Sequence, residues 1–222
     1  MVGWIELIFG SMYCGKSEEL IRRLKRARYA KQSVQLFKPS LDNRYGFDVV
    51  ETHESNKTKK DIEKILNIHI NESDLNKKRT LMKEISRQLG GAMEAVVVEN
   101  SKDLLKHVDD NVDVIGIDEI QFFDNELVPV INTLTNQGKR VICAGLDLYA
   151  SGEPFGIVPD IACRAKYVDK LRAVCMDCGG EALYSYKIDN IVDNKISNID
   201  VGSEGKYIAI CENCKAKRER NL

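Results

Sequence analysis

The chain has 222 residues, 43% hydrophobic and 30% charged, which suits one large domain, or a domain with a small appendage, and supplies a sizeable core. Its 33 basic and 34 acidic residues leave a net charge of −1, which argues against a protein whose main task is gripping a nucleic-acid backbone. No apolar run approaches the ~20 residues needed to cross a bilayer. The sequence opens without a basic segment and apolar stretch of the secretory kind, so the expectation is a cytoplasmic protein whose seven cysteines stay reduced.

Trp4-Ile5-Glu6-Leu7-Ile8-Phe9 is an apolar, β-prone run, and Glu18 to Arg26 has helical spacing. Between them, Gly10-Ser11-Met12-Tyr13-Cys14-Gly15-Lys16-Ser17 reads G-x-x-x-x-G-K-S. Strand, glycine-bounded loop and helix start together form a phosphate cradle. Backbone N–H groups converge on the anion, the helix N-terminus adds partial positive charge, and Lys16 reaches the outer phosphates. Ser17 is placed to put its hydroxyl on Mg2+. The pattern predicts binding of a nucleoside triphosphate.

The strand–helix alternation continues. Ser33 to Lys38 is predicted as a second strand closed by Pro39, and Ala95 to Glu99 as a third, followed by a short helix that Ser101 can cap. Val112 to Ile117 is a fourth strand. Asn125 to Gln137 reads as a helix with Pro129 in its first turns and Gly138 just past its end, and Arg140 to Leu146 as a fifth strand. Apolar strands separated by helices predict an α/β fold of the P-loop type, a parallel sheet covered on both faces with ligands at the carboxyl ends of its strands. Residues 56–91 interrupt the rhythm with Lys, Asn and Glu and two helical pieces, 61–67 and 74–89. A solvated insertion packing one apolar stripe on the domain explains them; a partner-binding arm is the alternative.

The fourth strand ends in Asp118-Glu119, the position from which an acid reaches a magnesium shell. Glu119 is then a candidate base for a water or for an alcohol. Gln121-Phe122-Phe123 adds an amide and two aromatic faces, either for a nucleobase or for the core under a loop.

Near the C-terminus stand Cys175-Met176-Asp177-Cys178 and, after 32 intervening residues, Cys211-Glu212-Asn213-Cys214. A two-residue gap turns both sulfurs of a pair to one point, so two pairs can enclose a tetrahedral Zn2+. A closed four-cysteine centre leaves no position for substrate and is structural. Buried thiols or a redox dithiol are the alternatives. Leu183 to Lys187 and Tyr207 to Ile210 would be the two strands of a long hairpin, with 189–206 as its excursion. Of the remaining cysteines, Cys143 reads as a core residue, and Cys14 lies in the phosphate loop. The expected organisation is a P-loop nucleotide-binding domain over 1–170, containing the insertion, and a zinc-binding ribbon over 171–222.

The combination resembles the thymidine kinases of the zinc-containing cellular and bacterial type. The resemblance rests on E-L-I-F-G-S-M-Y-C-G-K-S-E-E-L-I-R-R, D-N-R-Y, V-I-G-I-D-E-I-Q-F-F, A-G-L-D followed by P-F-G, C-M-D-C, and K-Y-I-A-I-C-E-N-C, six segments in the family's order. It implies γ-phosphoryl transfer from ATP to the 5′-hydroxyl of thymidine or deoxyuridine in nucleoside salvage. Gly10 through Ser17, with Asp42, Arg44, Asp118, Glu119, Ile120 and Gln121, would face the nucleotide, and Glu119 would be the catalytic base. Met12, Phe122, Leu146, Phe155, Ser185 and Tyr207 would build the nucleoside pocket, the last on a lasso that zinc anchors through Cys175, Cys178, Cys211 and Cys214. The resemblance further implies a homotetramer with dTTP as feedback inhibitor, while charge and hydropathy point to no nucleic-acid or membrane partner.

This sequence departs from the pattern at Ala150, where an aromatic is expected, with Tyr149 able to supply a ring from a shifted position. Glu212 follows Cys211 where arginine is common, and Asp200 falls where the lasso usually meets the base. Two rivals follow: a kinase preferring another deoxynucleoside, and a nucleotide-binding module that phosphorylates nothing.

Overall fold

The structure is a computed structural model, and it describes residues 2–41, 49–51, 92–188 and 206–220. Asp42, Arg44, Asp200 and the 56–91 insertion lie outside the described residues.

The order of elements is β1 (Trp4–Gly10), α1 (Lys16–Tyr29), β2 (Val34–Pro39), β3 (Val49–Glu51), β4 (Ala92–Glu94), β5 (Val96–Val98), α2 (Ser101–His107), β6 (Val114–Ile117), a 3-10 turn (Ile120–Phe122), α3 (Leu127–Asn136), β7 (Arg140–Leu146), α4 (Val158–Arg164) and β8 (Tyr167–Leu171). β9 (Ala173–Val174), β10 (Glu181–Ala182), β11 (Tyr184–Lys187), β12 (Tyr207–Ile210) and α5 (Glu212–Arg220) complete the chain. Six strands form one parallel sheet in the order β5-β2-β6-β7-β1-β8. The expected P-loop type of α/β sheet is therefore present, with one strand more than the sequence suggests.

Each central strand is buried on both sides, and successive residues divide between two cores. Leu7, Ile115, Ile117, Val141 and Cys143 join Leu127, Ile131 and Leu134 of α3 and Leu104 of α2. Ile8, Val114, Ile142 and Ala144 face the other way, onto Leu20, Ile21, Leu24 and Ala27 of α1. Burial alone drives the Cys143 thiol far above its ordinary range, so it serves as a small apolar side chain.

Two local details differ from expectation. Asn100, not Ser101, caps α2: its backbone is extended, and its side chain accepts the Asp103 N–H at 2.9 Å, while Ser101 is already the first helical residue. α3 begins at Leu127, because Asp124 organises the preceding turn by accepting the Glu126 N–H on its carboxylate and the Leu127 N–H on its carbonyl.

Charge pins the phosphate-loop helix to the sheet. Glu6, buried in β1, accepts Trp4 Nε1 at 2.9 Å, Arg140 Nε at 2.7 Å and a guanidinium N–H of Arg23 at 2.7 Å. Arg23 also bonds Glu19 and Asp169, joining α1 to β1 and β8. Burial works to raise the Glu6 carboxyl, but these donors outweigh it and hold it below its ordinary 4.5. A carboxyl depressed on folding adds stability above its unfolded pKa and loses it as pH falls through its folded value. Glu6→Gln is therefore expected to cost about 3 kcal/mol at neutral pH. The gap from wild type should shrink as pH falls below the ordinary carboxyl value of 4.5 in urea unfolding midpoints taken across pH.

Candidate active site

The carboxyl ends of β1, β6 and β7 bring the sequence-predicted residues together. β1 ends at Gly10, whose φ of 153° and close approach to β8 (an added Cβ would meet the Leu171 carbonyl oxygen at 2.4 Å) admit only glycine. The loop then turns through Tyr13, left-handed at φ 66°, and Gly15, at φ 84°, into α1. A left-handed tyrosine costs on the order of 1–3 kcal/mol and persists only where its surroundings hold it. Lys16 is nearly buried, its ammonium donating to the Ser11 carbonyl at 2.7 Å. Burial raises the Cys14 thiol against the lowering influence of Lys16, which keeps it protonated at neutral pH.

Asp118 follows β6 and is aligned by its own N–H bonding the Phe37 carbonyl at 2.9 Å. Ser17 Oγ donates to Asp118 Oδ2 at 3.1 Å, so a hydroxyl and a carboxylate from separate loops meet. That pair has the all-oxygen character magnesium takes.

Glu119 is 8% exposed and left-handed at φ 51°, a strained backbone whose N–H donates to the Asp118 Oδ1 at 3.0 Å. Gln121 Nε2 donates to Glu119 Oε2, and Gln121 Oε1 accepts the Leu146 N–H at 3.0 Å, so the amide ties the carboxylate to the end of β7. Only glycine fits before Leu146: a Cβ at Gly145 would lie 2.6 Å from Ile120 and 2.7 Å from Gln121 Oε1. Sequence reasoning set Gln121 and Ile120 toward the nucleotide. The structure commits the Gln121 amide to this bridge and buries the Ile120 side chain in the core.

An aromatic wall begins one 3-10 turn after Glu119, where the Phe122 N–H bonds the Glu119 carbonyl at 3.0 Å. Phe122 meets Phe155 edge-on at 6.1 Å between centroids, and Tyr149 stacks on Phe155 at 3.8 Å with 25° between planes. Phe123 instead enters the core. The 148–154 loop closes on itself through Tyr149 N–H to the Glu153 carbonyl and Gly152 N–H to the Tyr149 carbonyl, both 2.9 Å. Tyr149, next to Ala150 in this loop, thus stacks on Phe155.

The cysteines converge in a small lobe of two hairpins, β9–β10 and β11–β12, capped by α5. The four Sγ atoms lie within 4.8 Å of one another, with Cys178 and Cys211 at 3.7 Å. A tetrahedral zinc with bonds of about 2.3 Å needs sulfurs roughly 3.8 Å apart, so the set fits one ion. Burial works to raise the Cys175 thiol, but backbone N–H donors of Cys211, Cys178 and Asp177 outweigh it and hold it below its ordinary range. Arg218 of α5 forms a bidentate bridge to Asp177 inside the first cysteine pair, both bonds 2.7 Å. This link between the two pairs carried no sequence signal, since nothing in the spacing of the two residues joins them.

The lobe also touches the phosphate loop. The Met12 N–H donates to Ser185 Oγ at 2.9 Å and the Tyr13 hydroxyl to the Tyr207 carbonyl at 3.2 Å.

A model of the thymidine kinase family matches this chain in two segments, residues 3–82 and 70–215. Among solved structures, the flagellar accessory protein FlaH from Methanocaldococcus jannaschii is similar at a TM-score of 0.43 and 15% identity, over 76% of this chain and 71% of its own. A DNA replication initiation factor matches at 0.37 and 14% identity, and AMPPCP-bound DnaA from Aquifex aeolicus at 0.37 and 13%. Both cover 77% of this chain, which spans only 40% of either.

Proposed function

Because the chain belongs to the thymidine kinase family, whose members phosphorylate thymidine to its monophosphate with ATP, we propose that it moves the γ-phosphoryl group of ATP to the 5′-hydroxyl of thymidine, with deoxyuridine second. The observation that carries the reading is Glu119, next to Asp118 in the chain, tied through Gln121 to the end of β7 and one 3-10 turn before Phe122 of the aromatic wall. In this reading the Gly10–Ser17 loop and Lys16 cradle the triphosphate. Ser17 and Asp118 hold magnesium, which when bound neutralises charge on the phosphate oxygens. Glu119 takes the 5′-hydroxyl proton while that oxygen forms its bond to the γ-phosphorus and ADP departs with the electron pair of the broken P–O bond. Arg44, with Asp42, is assigned to the transferring charge. Met12, Phe122, Leu146, Phe155, Ser185 and Tyr207 enclose the nucleoside.

The proposed division into a nucleotide-binding domain (1–170) and a zinc lobe (171–222) is supported by the lobe's own apolar cluster around Ala173, Ala182, Ala209 and Ile210. Family resemblance also supports a homotetramer under dTTP feedback, acting in cytoplasmic salvage. No helix among the described residues is long and apolar enough to cross a membrane.

The Tyr149 stack favours one second reading, a shifted base preference. A magnesium- and ATP-dependent assay on thymidine, deoxyuridine, deoxycytidine and the purine deoxynucleosides tests both. Thymidine is expected to lead with deoxyuridine next, by the orders of magnitude a site with dedicated base contacts achieves. Turnover of another nucleoside would establish the second reading, and turnover of none would overturn both.

A further inference from the structure

The zinc lobe grips the phosphate loop at three consecutive residues. Met12 gives its N–H to Ser185 and Tyr13 its hydroxyl to the Tyr207 carbonyl. Tyr13 and Cys14 pack on the apolar cluster that contains Cys175 and Cys214. Both hydrogen-bond acceptors lie one short step from the metal ligands. Tyr207 starts β12, which runs straight into Cys211, and Ser185 pairs with Ala209 across the same ladder. The cluster itself consists of three alanines, one isoleucine and two of the cysteines, with partly buried neighbours. That is too little apolar area to hold the two hairpins in register unaided, so an ion supplies what the core lacks.

A phosphate cradle works only while its N–H groups converge on one anion, and the left-handed Tyr13 stands in the middle of the loop. We propose that metal in the four-cysteine centre sets the geometry of the phosphate loop, so that affinity for a nucleoside triphosphate depends on zinc, with Tyr13 the positioning residue that transmits the dependence. The Tyr13 hydroxyl is the selective element, because phenylalanine would keep the ring's packing on the lobe and lose the hydroxyl's bond to Tyr207. The inference rests on the proposed function in one respect, that Gly10–Ser17 holds the triphosphate.

The test is calorimetric titration of the full chain with a β,γ-non-hydrolysable ATP analogue and magnesium, with no nucleoside present. Removing zinc from wild type with a chelator is expected to weaken the analogue at least about tenfold, and restoring zinc to recover it. Tyr13→Phe, with zinc content confirmed at about one ion per chain, is expected to bind about fivefold more weakly, the value of one hydrogen bond. Chelation should then cost this variant less than it costs wild type, a non-additivity that general loss of stability would not produce. Equal affinity of zinc-loaded Tyr13→Phe and wild type overturns the proposal. So does unchanged analogue affinity in zinc-free wild type whose circular dichroism shows the sheet intact. Failure of zinc-loaded wild type to bind the analogue would overturn the triphosphate assignment as well, which separates the two failures.

Discussion

Glu119→Gln is expected to leave ATP affinity within about twofold of wild type while cutting turnover by roughly 10²–10⁴, the usual contribution of a positioned base. Glutamine matches glutamate in shape, so the strained backbone at this position and the burial around it are retained. What is lost is the capacity to accept a proton. A second consequence comes from Gln121, whose Nε2 donates to the Glu119 carboxylate while its Oε1 accepts the Leu146 N–H. An amide at 119 can keep the first bond only by presenting its carbonyl oxygen to Gln121. Single-turnover kinetics with thymidine, beside equilibrium binding of ATP, separates these effects. Turnover equal to wild type would remove Glu119 from the chemistry.

Cys211→Ser is expected to take bound zinc from about one ion per chain to near none and to open the C-terminal lobe to protease. Structural zinc sites of this ligand type contribute on the order of 10–16 kcal/mol of apparent binding free energy at neutral pH, far beyond what the small lobe's core supplies. Cys211 is a demanding place to test this, because its sulfur is 3.7 Å from Cys178 and accepts the Cys214 N–H, and its own N–H bonds Cys175 Sγ. The sheet has two cores of its own and is expected to remain folded. Metal analysis with limited proteolysis gives the answer, and Cys163→Ser, at an exposed thiol outside the cluster, is the control. Active, reduced protein without metal would end the case for a required zinc anchor.

Sequence reading succeeded where a pattern has one physical solution. G-x-x-x-x-G-K-S between a strand and a helix leaves little choice of conformation, and two C-x-x-C pairs flanking hairpin strands bring four sulfurs together. It failed at β8, where Tyr167-Val168-Asp169-Lys170 is exposed along an edge and carries neither a buried run nor an alternation. The strand exists because β1 offers its open side and Arg23 holds Asp169. It failed also at α4, seven residues long with proline near its start, too short for helical periodicity to register. The Asn100 cap was missed because Asn and Ser stand side by side and only backbone direction chooses between them. In the site, the acids and the phosphate loop were legible. The Gln121 bridge, the Tyr13 hydroxyl bond and the stacking of Tyr149 on Phe155 in particular were not, since each joins residues whose spacing means nothing until the loops have closed.

The close fit at Gly145 bears on how this pocket can diversify. Any side chain there would strike Ile120 and the Gln121 amide that steadies Glu119. Bulk therefore cannot be added to that stretch of β7 without disturbing the Gln121–Glu119 bridge. The rings at 122, 149 and 155 stand on connecting segments beyond the sheet, and Tyr149 already sits in a loop that closes through its own backbone. If the proposed nucleoside site is right, mutational drift, or a designer seeking a new nucleoside, is channelled to that wall: the rigid end of β7 would keep Glu119 in place while the loop explores substrates.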